Sequence, residues 1–111
     1  MAIPKPGKPV RGSKTGAPMM ALFDLLGRRW AMGIVWNLAG GPMTFRALRA
    51  ACEQKSGTIS PSILNSRIKD LHEAKLLERT IDGYELTRLG QELFALLEPL
   101  YPWALKWAKD I

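Results

Sequence analysis

The sequence predicts a mainly α-helical domain carrying one small β-hairpin. Three observations point to it. Apolar residues recur at helical spacing from Pro18 onward, capping residues and Gly/Pro breakers divide those stretches, and one Asp82-Gly83 pair separates two short strand-like runs. At 111 residues there is room for one domain, which should bury roughly two-thirds of the surface its unfolded chain exposes.

Residues 1–17 hold Pro4, Pro6, Pro9, Gly7, Gly12 and Gly16 with almost no large apolar side chain. Such a composition cannot repay the cost of ordering its backbone and predicts a flexible basic arm ahead of a folded unit at 18–111. Met19, Leu22, Phe23 and Leu26 then follow helical spacing, and Gly27 supplies a stop. Arg28 to Leu38 predicts a second helix with Trp30, Ile34 and Leu38 on one stripe, ended by Gly40-Gly41-Pro42.

Thr44 is a good N-cap for a third helix. Phe45, Leu48 and Cys52 would form its apolar side and Arg46 and Arg49 its outer side. A polar turn through Gly57 leads to Ser60-Pro61, a cap followed by proline at the first helical position. The fourth helix should therefore start at a fixed place and run to about Ala74. Leu64, Ile68 and Leu71 would face inward, and Ser62, Asn65, Ser66 and Lys69 roughly opposite them. Leu76–Ile81 and Tyr84–Leu86 read as strands joined by the two-residue turn. Thr87 caps a last helix striped by Leu89, Leu93, Leu96, Leu97, Leu100, Trp103 and Trp107, with a kink expected at Pro99 and Pro102.

Charge adds a direction to this frame. The net charge is +6, and the cations cluster in two regions: Lys5, Lys8, Arg11 and Lys14, then Arg46, Arg49, Lys55, Arg67 and Lys69. From Asp70 onward acids outnumber bases, so one side of the molecule should attract a polyanion and the other repel it. One His, one Cys and scattered acids supply no nucleophile–base pair, carboxylate pair or metal set, so neither an enzyme nor a cofactor is expected. A lone cysteine, no apolar run long enough for a bilayer and no leucine-rich stretch behind the first positive charges fit a cytoplasmic protein away from membranes. Cys52 lies in an apolar stripe and reads as packing rather than as a sensing thiol, and His72 as an ordinary flanking residue.

Two helices joined by a polar turn, the second with a polar face and followed directly by a hairpin, describe a winged helix-turn-helix. A cylinder 10 to 12 Å across enters the major groove of duplex DNA. Ser62, Asn65 and Ser66 would then reach base edges, Arg67 and Lys69 would add phosphate or guanine contacts, and Arg46, Arg49 and the helix start at Ser60 would hold flanking phosphates. Arg79 and Arg88 are the nearby cations of a short wing. The N-terminal arm either follows DNA or serves only solubility. A winged helix used purely as a protein-interaction module is the competing reading.

Four stretches give this constellation a family resemblance: Leu25-Leu26-Gly27-Arg28-Arg29-Trp30, Phe45-Arg46-Ala47-Leu48, Ile59 through Leu71, and Leu77-Glu78-Arg79-Thr80 with Tyr84 through Gly90. Together they resemble the HxlR-type regulators. The resemblance implies a homodimeric transcription regulator acting at a near-palindromic operator, with dimerisation through the first and last helices. That assigns Leu22, Phe23, Leu96, Leu100, Trp103 and Trp107 to the subunit contact. A pocket between helices there would suit a small-molecule effector, which no residue identifies. Many members carry a sensing cysteine beside a proline just before the first helix, where this chain has Ala17-Pro18. Lys75 stands where relatives usually have glycine, so a left-handed helix end there should cost about 1 kcal/mol.

Overall fold

The computed structural model describes residues 3–9 and 16–111. The order is α1 (Pro18–Leu26), α2 (Ala31–Leu38), α3 (Phe45–Ser56), α4 (Pro61–Glu73), β1 (Leu77–Thr80), β2 (Gly83–Leu86), α5 (Arg88–Leu97) and α6 (Leu100–Asp110). The strands pair antiparallel with Leu77 opposite Leu86 and Thr80 opposite Gly83. Helix, helix, helix, helix, hairpin, helix is thus the architecture that the periodicity predicts, with two changes of boundary.

α2 begins at Ala31 rather than Arg28. Arg28 to Trp30 form a tight reversal, and Trp30 takes a left-handed backbone with φ of 79°. Packing of the Trp30 ring against the core, with the Arg29 guanidinium 4.8 Å from its centre, holds a conformation that costs a non-glycine residue about 1 kcal/mol. The last helix is two helices, not one kinked helix. Pro99 has no N–H to continue the ladder and its ring crowds the preceding turn, so α5 closes with Glu98 N–H donating to the Phe94 carbonyl at 2.8 Å. Pro102 falls in the first turn of α6, where a missing N–H is harmless.

α2 is the hub, packing against α1, α3, α4, α5 and β2. Its Ile34 and Val35, with Leu48, Leu64 and Leu71, are sealed from solvent at the centre of the core. A feature that periodicity does not reveal widens the wing. Met43, just ahead of α3, exchanges backbone hydrogen bonds with Tyr84 at 2.9 and 2.8 Å and adds a third short strand segment beside β2. α4 ends as foreseen at Lys75, whose φ is 65°. Leu76 N–H reaches back to the Leu71 carbonyl at 3.0 Å, closing a Schellman-type end. Among the described residues no helix is long and apolar enough to cross a membrane.

Candidate nucleic-acid interface

The geometry of the α3–turn–α4 unit follows from its caps. Thr44 Oγ1 accepts from Ala47 N–H at 3.1 Å, and Ser60 Oγ accepts from Ile63 N–H at 3.2 Å, so both helices begin at side chains able to satisfy orphan amides. Between them the backbone of buried Ile59 is gripped on both sides. Glu53 Oε2 accepts its N–H at 3.0 Å, and Arg49 Nε donates to its carbonyl at 3.1 Å. Arg49 and Glu53 lie 3.8 Å apart, one turn along α3. A buried peptide left unpaired would destabilise the turn, and here an ion pair fills both roles.

α4 presents the polar face that the sequence predicts. Leu64, Ile68 and Leu71 are buried, while Ser60, Ser62, Asn65, Ser66 and Lys69 are exposed. Ile63 shares the exposed first turn, 47% open to solvent, and was not anticipated as a candidate. Arg46 on α3 and Arg79 on β1 are exposed, the latter with its guanidinium 5.9 Å from the Tyr84 ring. Two of the cations expected to meet DNA are turned toward the protein instead. Arg49 is half-buried in the turn, and Arg67 folds back along its own helix with Nε 3.3 Å from Asp70 Oδ2. Helical spacing and charge are compatible with the Arg49–Glu53 and Arg67–Asp70 pairs, but they do not reveal that Arg49 reaches a loop carbonyl or that the Asp70 carboxylate also receives Arg28 from beyond α1 at 3.1 Å. That buried Asp70 cluster is the part of the site that periodicity missed.

The other candidates divide similarly. Phe23, Leu96, Leu100, Trp103 and Trp107 are more than half exposed, whereas Leu22 packs partly against the core. The Trp103 and Trp107 rings stack with centroids 6.2 Å apart, and α6 has no buried residue. Cys52 is buried beside Asn37 Nδ2 at 3.8 Å, and burial pushes its thiol above the ordinary value, as expected of a packing residue. Lys5 and Lys8 are exposed, although Ile3 beside them is buried, and Arg11 and Lys14 lie outside the described residues.

The segment from Leu25 to Ile111, which contains every element just described except most of α1, matches the family model of the HxlR-like helix-turn-helix proteins. The chain belongs to the HxlR-like helix-turn-helix family. Among HxlR-like relatives, the HTH-type transcriptional regulator YodB of Bacillus subtilis is 30% identical over 93 residues, spanning 78% of this chain and 80% of that protein. The quinone-bound structure of YodB superposes with a TM-score of 0.69 at 31% identity, covering 79% of this chain and 94% of that one. A possible HxlR family transcriptional factor from Thermoplasma volcanium gives 0.66 at 32% identity, over 79% of this chain and 82% of that one. The HxlR fold is accordingly a winged helix-turn-helix, and the protein is a DNA-binding transcription regulator of that type.

Proposed function

We propose that the protein acts as a cytoplasmic homodimer that recognises an operator sequence, each subunit laying α4 in the major groove. The observation that carries this reading is the α4 surface itself: Ser62, Asn65, Ser66 and Lys69 form one exposed polar row on a helix whose start is fixed by Ser60 and Pro61. Asn65 has the paired donor and acceptor suited to an adenine edge, and Ile63 an apolar surface suited to a thymine methyl. Lys69, Arg46 and Arg79 serve phosphates, joined by the amides at the head of α4. Arg49 and Arg67 hold the unit in shape, and the basic stretch at residues 1–17 adds attraction to the backbone.

Exposure of Phe23 and of the α6 aromatics supports pairing of two subunits, which would set the half-sites about 34 Å apart. YodB has been solved with quinone bound. A small apolar effector of this chain would bind without a thiol adduct, since its one cysteine is buried. A cavity of about 510 Å³ between Ile3–Pro6, α1 and the end of α4 is large enough for such a molecule.

Selection from a randomised duplex pool tests the reading. The wild-type protein should enrich a near-palindrome, and Asn65→Ala should cost about 1 to 3 kcal/mol at mainly one base position per half-site. Lys69→Ala should weaken all duplexes alike and flatten the salt dependence by about one contact. Failure to enrich any sequence would favour the protein-interaction reading instead.

A further inference from the structure

We infer that Arg28, Asp70 and Arg67 are positioning residues that set the rotation of α4 about its own axis, and that Arg67 does not contact DNA. This rests on the reading of α4 as the element that reads the duplex. α4 is seated on the core by Leu64, Ile68 and Leu71. Those apolar contacts fix the seat of α4, and a charged tie on its flank biases the angle at which the helix settles there. With side-chain tips 5 to 6 Å from the axis, a 10° roll moves Asn65 by about 1 Å, enough to spoil a bidentate hydrogen bond to a base.

The cluster adds that tie, through Arg28, with Arg67 holding the other side of the shared carboxylate. Asp70 is 8% exposed, and its Oδ2 lies 3.1 Å from an Arg28 terminal nitrogen and 3.3 Å from Arg67 Nε. Arg28 stands in the reversal between α1 and α2, so the contact ties one flank of α4 to a different part of the fold. Arg67 Nε and Asp70 Oδ2 are both out of reach of solvent and meet as an ion pair rather than through a hydrogen bond, and Arg67 keeps only a quarter of its side chain exposed. An arginine drawn inward to a buried carboxylate is not extended toward phosphate.

Two single variants, Asp70→Asn and Arg67→Gln, and their double combination decide the matter. Binding is measured on the duplex that wild-type protein selects from a randomised pool and on a scrambled duplex of equal length, over a range of salt concentrations. Positioning predicts that each variant lowers the ratio of selected to scrambled affinity about tenfold, with scrambled binding and its salt slope unchanged, and that the double variant is no worse than either single. If Arg67 instead held a phosphate, Arg67→Gln would weaken both duplexes and reduce the slope by about one, and Asp70→Asn would tighten both. Either pattern, or an unchanged ratio in a folded Arg67→Gln protein, overturns the inference. A wild-type protein that enriches nothing removes the DNA-reading role of α4 and this inference with it, whereas enrichment with indifferent variants removes the inference alone.

Discussion

Lys75 and Gly90 illustrate opposite demands at single positions. Lys75 closes α4 at φ 65°, where a Cβ is strained, and nothing about its exposed side chain requires lysine there. Lys75→Gly should raise stability by about 1 kcal/mol, read as a higher urea midpoint at unchanged m-value. Gly90 needs its missing Cβ, because an added carbon would collide with the Leu76 carbonyl where α5 crosses the base of the wing. The strain at Lys75 was legible through the family resemblance, which puts glycine at that slot. Gly90 was visible only as part of a resemblance. Arg49 was read as an outward cation and Arg67 as a phosphate or guanine contact because a one-dimensional pattern gives the side of a helix but not the course of a long side chain. The Ile59 carbonyl and the sharing of Asp70 with Arg28 are tertiary contacts that come together only when the chain folds, whereas Arg67 and Asp70 are neighbours on one helix.

At the level of elements, local chemistry carried far. Thr44, Ser60 and Thr87 were each read as caps and each accepts a hydrogen bond from the amide three residues on. Thr87 does more than cap. Its hydroxyl also donates to the Lys75 carbonyl at 2.7 Å, lacing the head of α5 to the end of α4. Thr87→Ala removes both bonds and should cost about 1 to 2 kcal/mol, whereas Thr87→Ser should cost much less, as thermal melts would show. The misread boundaries have equally physical causes. Helical spacing continued through Arg28 to Trp30 and hid a reversal stabilised by the packed indole, and an apolar stripe ran across Pro99 although the backbone hydrogen bonds could not. The Met43–Tyr84 pairing escaped because a bridge between distant segments leaves no period.

For the molecule as a whole, helix order, hairpin and polar face of α4 were legible because each is encoded within a short window. The distribution of exposed apolar surface was legible in outline: α6 lacks any buried residue, and Trp36 links it to the body by lying 6.3 Å from Tyr101. Surface of that kind is the basis of the proposed subunit contact. Replacing Trp103 and Trp107 together by glutamate should convert a dimer into monomers of 12.4 kDa in light scattering while leaving the far-UV spectrum of the folded domain intact. A dimer that survives the double change would place the contact elsewhere. The sealed position of Cys52 in the middle of the core has a consequence of its own. A thiol reagent meets its one target only in those moments when α3 has lifted away, so the speed of colour formation is a clock for the opening of this domain, started without any dye, tag or engineered probe.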